Sequence, residues 1–265
     1  MPNTALSTAA LGMSAQQKTV DNIANNLANV NTTGFKRSRI AFQDLFYQNV
    51  AASKRGTNQN NGRSSGPQLQ IGHGSKAVSS VRNFSEGSLK QTGRSLDLAI
   101  NGKGFFQVVM PDGSKAYTRD GNLTMNANGT LVTQSGLPLA SRISIPQNAV
   151  SVNISEQGVV SAKMPGNQGK VTLGQLQMAK FVNPTGLSAV GDNLYRKTDS
   201  SGQPQFGTAG MNGFGSLQQG FLEKSNVNIV TEMVDMIKAQ RAYQTNSKMV
   251  KTADNMMAMT NSIKR

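Results

Sequence analysis

The stretch Asp21-Asn-Ile-Ala-Asn-Asn-Leu-Ala-Asn-Val-Asn-Thr-Thr-Gly-Phe-Lys36 decides how the rest of the chain is read. On a helix of 3.6 residues per turn it has two faces. Val20, Ile23, Leu27 and Val30 share one, and Asn22, Asn25, Asn26 and Asn29 share the other. Backwards along the chain, Leu6, Met13, Val20 and Leu27 recur every seventh residue, the spacing of a helix packed along a partner helix. Asn is a poor interior residue for a helix because its amide competes for backbone hydrogen bonds. Four on one face therefore point to a role outside the helix. Gly34, free to take a positive φ, predicts the stop of a helix running from residue 1 to about 33.

The other end of the chain repeats the pattern. Ile229, Met236, Tyr243, Val250 and Met257 are spaced by seven, and Met233 widens the seam. The spacing predicts a helix over about 228–262, preceded by N-cap residues Ser225, Asn226 and Asn228. Glu232 and Asp235 sit favourably near its positive N-terminal end. A Met-rich stripe of this kind is more often a helix–helix core than a promiscuous binding face.

Between the ends the signals are β. Leu98-Ala-Ile100, Phe106-Gln-Val108 and the alternation Val150, Val152, Ile154 read as strands. Pro111-Asp112-Gly113, Arg119-Asp120-Gly121, Asn128-Gly129 and Glu156-Gln157-Gly158 read as turns. Short strands between turns predict an antiparallel β region. The segment Phe35–Tyr47 is ambiguous, extended or partly helical. Residues 48–70 are polar and rich in Gly, Ser and Asn, the composition of a loop or linker. The expected class is α+β, with terminal helices in a coiled-coil layer. The expected divisions are 1–34, 35–75 (linker and extended piece), 76–222 (β-rich outer domain) and 223–265.

The chain has 265 residues, enough for a substantial core, with 37% hydrophobic residues, 27 Gly and no Trp. No apolar run approaches the roughly 20 residues that span a bilayer. The N-terminal residues lack the basic and apolar regions of a Sec signal. Without Cys there are neither disulfides nor thiolate metal sites. The net charge of +14 raises a nucleic-acid-binding module as a competing class. But the basic residues are scattered, with Lys36, Arg37 and Arg39 densest, and aromatics are only 5%, too few for a stacking platform. A solvated basic surface is the expectation, and nucleic acid is not an expected partner. A basic surface facing acidic rings or cell-wall polymer would show salt-dependent binding.

Catalytic chemistry finds little footing. His73 is the sole His, set between two glycines in a loop. Gly102-x-Gly104 lacks the third glycine of a dinucleotide fingerprint. Asp120-x-Asn122-x-Thr124 begins like a calcium loop, but Met125 and Leu131 stand at the positions of its Gly and bidentate Glu. No enzyme activity, cofactor or metal is expected.

Three strings carry a family resemblance. Ala24-Asn-Asn-Leu-Ala-Asn-Val-Asn-Thr-x-Gly-Phe-Lys36 resembles the N-terminal signature of the rod and hook axial proteins of the bacterial flagellum. Gly102-Lys-Gly-Phe-Phe-Gln-Val108 with Ala116-Tyr-Thr-Arg-Asp-Gly121 resembles their middle. Phe221-Leu-Glu-Lys-Ser-Asn-Val-Asn228 through Met236-Ile-Lys-Ala-Gln-Arg-Ala-Tyr-Gln244 resembles their C-terminus. Within that family the length, Leu69-Gln-Ile-Gly and Val190-Gly-Asp-Asn-Leu-Tyr195 look most like the distal rod members. The proximal rod and hook members are the alternatives.

The resemblance implies a structural subunit exported through the flagellar type III channel and stacked helically in the periplasmic rod. It implies as partners further copies of the chain, proximal rod proteins, the hook protein, the bushing rings of the cell wall and outer membrane, and the export apparatus. It also implies that the segment after Tyr47 bears on stiffness, so that deleting Thr57–Ser64 should soften the shaft. Leu27 and Val30 are expected to pack on Met236, Tyr243 or Val250 of the same or a neighbouring chain, and the face of Asn22, Asn25, Asn26 and Asn29 is expected to bond to neighbouring subunits rather than to line the channel.

Overall fold

The computed structural model describes residues 2–51, 69–165 and 169–263, arranged as two compact bodies. The first takes Met1–Asn25, Ser38–Val81 and Ile229–Arg265; the second takes Asn26–Arg37 and Arg82–Asn228. The polar loop expected around Thr57–Ser64 lies outside the described residues.

The first body contains most of helix α1 (Pro2–Ala28) and all of helix α2 (Ile229–Ile263). At 35 residues α2 is about 50 Å long. Phe35–Tyr47 resolves as extended chain: strand Ser38–Asp44 lies beside Ser75–Arg82, and Tyr47–Ala51 pairs antiparallel with Leu69–Gly72.

α1 ends at Ala28, six residues before Gly34. The expected helix to residue 33 is therefore corrected. After Ala28 the backbone closes three-residue turns, with Asn29 N–H donating to the Asn26 carbonyl and Thr32 N–H to the Asn29 carbonyl. The Thr32 hydroxyl donates to Asn29 Oδ1 at 3.1 Å. Short polar side chains offer the backbone these local partners in place of the helical ladder. Gly34 does take a positive φ of 68°, but it ends the turns rather than the helix.

The second body is built on a six-stranded sheet ordered Ser188–Gly191, Leu194–Arg196, Lys115–Thr118, Phe105–Val109, Gln177–Lys180, Gln205–Thr208. Its pairings are antiparallel throughout. Strand alternation divides its core in two. Phe106, Val108, Ala116, Met178 and Leu194 face one cluster with Leu98, Ile100, Leu123, Leu131 and Leu217. Their sequence neighbours Phe105, Tyr117, Ala179 and Tyr195 face the other, with Phe181 and Leu187. In the second cluster Tyr117 meets Phe181 edge-on, ring centroids 4.8 Å apart.

The turns at Pro111-Asp112-Gly113, Asn128-Gly129 and Glu156-Gln157-Gly158 form where the sequence puts them. Arg119-Asp120-Gly121 does not form a turn. It is an irregular link whose course is fixed by burial of the Arg119 side chain. Asp192 and Asn193, at φ of 49° and 56°, make the two-residue turn between the strands Ser188–Gly191 and Leu194–Arg196. Both lie in the left-handed region that such a hairpin demands.

Candidate functional site

The second body is knotted together by charge at one buried point. Lys36, Arg119 and Glu223 come from the N-terminal segment, the middle and the C-terminal segment of the chain, and each is almost fully buried. Lys36 Nζ meets Glu223 Oε1 at 2.5 Å and donates to the Ser85 carbonyl at 2.7 Å. Arg119 Nε donates to Glu223 Oε2 at 2.9 Å, and its Nη1 donates to the carbonyls of Gly102 and Gly104. The Gly87 N–H adds a third donor to Glu223 at 3.0 Å.

Burial pushes the Glu223 carboxyl up, but Arg119, Lys36 and the Gly87 amide outweigh it and hold the group below its usual value. Burial lowers the Lys36 ammonium, and the Glu223 charge opposes the shift. Lys36 was expected on the solvated basic surface. The structure places it in the core, because a carboxylate 187 residues away in sequence neutralises it.

The backbone around Lys36 is held as firmly. Gly34 N–H donates to the Glu223 carbonyl at 2.9 Å. The Thr33 hydroxyl donates to Asp120 Oδ1 at 3.0 Å, and the Asn193 amide of the hairpin turn donates to the Thr33 carbonyl at 2.9 Å. Arg37 N–H donates to Asn226 Oδ1 at 2.7 Å. A Cβ on Gly34 would lie 2.7 Å from the Asp120 nitrogen, so close approach as well as φ requires glycine. The strings that looked specific in the sequence thus meet at one junction. Nothing in it resembles reaction chemistry; it fastens both terminal segments to the β body.

The predicted seam residues behave differently. On α1, Leu6, Met13, Val20 and Leu27 are half-buried and Ile23 is buried; Val30, half-buried too, lies in the turns beyond the helix. On α2, Ile229, Met233 and Tyr243 are exposed, and Met236, Val250 and Met257 are half-buried. The inward line of α2 is instead Glu232, Ala239, Asn246 and Ala253, again every seventh residue. α1 and α2 approach where Gly12 faces Asn246, since a Cβ there would sit 2.8 Å from Asn246 Nδ2. The signal for it was the small-residue series Ala5, Ala9, Gly12, overlooked beside the larger apolar heptad.

Within the single chain the four residues of the Asn face sit differently from one another. Asn22 donates to Ser38 Oγ at 2.8 Å, Asn29 accepts from Thr32, and Asn26 is buried. Of the four, Asn25 alone is exposed. His73 is exposed, its Nδ1 lying 3.2 Å from the Phe46 carbonyl.

Comparison with known proteins accounts for the junction. Residues 6–36 match the model of the flagella basal body rod protein family. Residues 99–162 match that of the flagellar hook protein FlgE/F/G D1 domain, and residues 218–263 match that of the flagellar basal body rod FlgEFG protein C-terminal region. The FlgG basal-body rod protein of Borreliella burgdorferi is 47% identical, over 98% of each chain.

The chain belongs to the flagellar basal-body rod family.

FlgG of Caulobacter vibrioides is 45% identical over 98% of this chain and 99% of its own, whereas FlgF of the same organism is 35% identical over 91% and 90%. Within the family the chain therefore lies nearer the FlgG members. It is a structural protein of the flagellar basal-body rod and not an enzyme. Residues 33–36 fall in the first matched region, 119–120 in the second and 221–226 in the third. The buried junction is where the three regions touch.

Proposed function

We propose that the chain polymerises helically into the distal rod, the drive shaft that transmits motor torque through the periplasm to the hook. The observation that carries this reading is the apolar surface of α2. Val230 is 71% exposed and Ile263 85%, and Ile229, Met233, Val234, Ile237, Met249, Met256 and Met259 are exposed with them. A soluble monomer rarely presents apolar side chains over such a length. Copies stacked side by side would bury them, with α1 and α2 forming a coiled-coil inner layer and the β body lying outside. Leu27 and Val30, and the exposed Asn25, belong to the contacts between copies in this reading. Greater likeness to FlgG than to FlgF supports the distal position. Proximal rod proteins, the hook protein, the bushing rings and the export apparatus are its proposed neighbours.

Because the chain has no Cys, a single thiol can mark it. Ser200→Cys, labelled with gold, should decorate isolated basal bodies only in the rod segment just below the hook. Label along the hook or the membrane-proximal rod would reassign the member. No axial label in an expressing strain would overturn the rod reading. Leu27→Asp should block assembly while the β body stays folded, because burying an unpaired charge in every subunit costs several kcal/mol each time. Normal rods from that variant would remove Leu27 from the contacts.

A further inference from the structure

The first body holds a groove of about 630 Å³ between its two helices. α1 and α2 meet closely where Gly12 faces Asn246. Beyond that point only small residues line it from α1 and the inward line of α2, Ala5 and Ala9 on one helix and Ala253 on the other, so the gap stays open. Ile71 of the strand Leu69–Gly72 and the exposed Met249 and Met256 complete its apolar lining. Its threonines add little polarity. The hydroxyls of Thr245 and Thr252 donate to the carbonyls of Arg241 and Lys248, one turn back on their own helix. Among the described residues Lys248 is the one charge in the lining. Towards the other end of α2, Val230, Met233, Val234 and Ile237 are all exposed. Their spacing of i, i+3, i+4 and i+7 puts them in one stripe, the pattern by which a helix lies in an apolar groove.

We propose that this stripe of one copy docks in the groove of the next. The proposal rests on the polymer reading above and names the two surfaces that meet in it. The lengths agree: at 1.5 Å per residue the stripe covers about 10 Å, and the α2 side of the groove, Thr245 to Met256, about 16 Å. The methionine walls can adapt to the shape of an incoming helix face. Lys248 in the groove and Asp235 beside the stripe are opposite in sign. The chain cannot fill the groove with its own stripe, because the two lie about 25 Å apart on one continuous helix. Residues 52–68 are polar and carry Lys54, Arg55 and Arg63, unsuited to burial against apolar walls. A second copy, set parallel and offset by about 25 Å, supplies the stripe and presents a free groove of its own. Such a head-to-tail contact propagates.

The test places two thiols in the full chain, Val234→Cys on the stripe and Met249→Cys in the groove, and oxidises isolated basal bodies mildly. Within one copy the two positions are about 22 Å apart along α2, far beyond the roughly 7 Å that a disulfide spans, so any bond joins different copies. The proposal expects ladders of three or more linked chains on non-reducing gels, and monomers from either single-thiol variant. Normal rods without a ladder would overturn the docking and leave the rod reading standing. Wild-type subunits absent from rods would remove that reading, and the proposal with it. A second measurement needs no rods. With methyl-labelled methionine in the free full-length chain, the Met249 and Met256 signals should shift saturably on titration with the capped peptide 229–240. That peptide should bind at least about tenfold more tightly than its Val234→Asp form, which would bury a charge. If the double-thiol variant fails to assemble, this titration decides: equal response to the two peptides, or none, would overturn the proposal. Laurate shifting those signals where neither peptide does would show an amphiphile site and overturn it as well.

Discussion

The two bodies of this protein are finished to different degrees. The second closes on itself: Leu98, Ile100, Phe106, Val108, Leu123, Met178 and Leu217 are all essentially buried, and the Lys36–Glu223–Arg119 junction seals its entry and exit strands. The first buries, among its described hydrophobic side chains, only Ala9, Ala15, Ile23 and Ala239. Phe46, Tyr47, Val78 and most of the large apolar residues of α2 remain exposed. A self-sufficient fold needs burial of order 1.5–3 kcal/mol per large side chain to offset chain entropy. The second body has that supply within one chain. The first lacks that supply within one chain, and in the proposed assembly other copies would provide it, as expected of helices whose stability comes from packing rather than propensity.

The strongest way to break the contrast is at the junction. Glu223→Gln leaves two buried cations without their counter-charge and should destabilise the second body by about 3–5 kcal/mol. Denaturant unfolding followed at the β signal reads this directly; a loss below about 1 kcal/mol would mean that the triad is incidental. Gly34→Ala forces a Cβ toward the Asp120 backbone at positive φ and should cost about 1–3 kcal/mol in the same assay.

A pH series sharpens the assignment. Glu223 titrates below its usual 4.5 in the folded state, so the stability it contributes is fully present above its unfolded value and lost as pH falls through the folded one. The gap between wild type and Glu223→Gln should therefore be constant near neutrality and shrink in acid. Asp120 works the other way, since burial raises it and its contribution is largest below its unfolded value. Comparing the two chains cancels that effect. A gap independent of pH would place the stabilisation elsewhere than in the carboxylate.

The smallest effect on the subunit is expected on α2. Met233→Asp changes an exposed position and should alter monomer stability by no more than about 0.5 kcal/mol. Yet it should stop rods from forming, which electron microscopy of basal bodies would show. Assembled rods from this variant would mean that the exposed apolar face is not covered by neighbouring copies.

Much of the frame was legible in the sequence because it rests on local rules. The period of seven announced both helices, and glycine turns announced the hairpins. Val152 and Ile154 gave the strand Ser151–Ile154 by alternation, while Val150 lies just before it and is exposed. The failures are long-range. Lys36 looked like one of a basic group because nothing near it in sequence reveals Glu223. Arg119-Asp120-Gly121 had the composition of a turn, but the Arg side chain is drawn into the core by two carbonyls and a carboxylate. The α2 face turned toward its own chain was missed because it is made of Glu232, Ala239, Asn246 and Ala253 rather than large apolar residues. Those larger residues are conspicuous in the sequence but stay exposed on the single chain, where the proposed assembly would cover them.

That division can be measured with thiols, since the chain has none of its own. Met249→Cys on α2 and Ser200→Cys on the β body would each be labelled with a maleimide, first in the free subunit and then in isolated basal bodies. Both thiols should react readily in the free subunit, because both positions are exposed. In assembled rods the thiol at 249 should be protected by at least about tenfold, while the one at 200 keeps reacting. A thiol at 249 that reacts equally in both states would contradict the claim that other copies complete the first body.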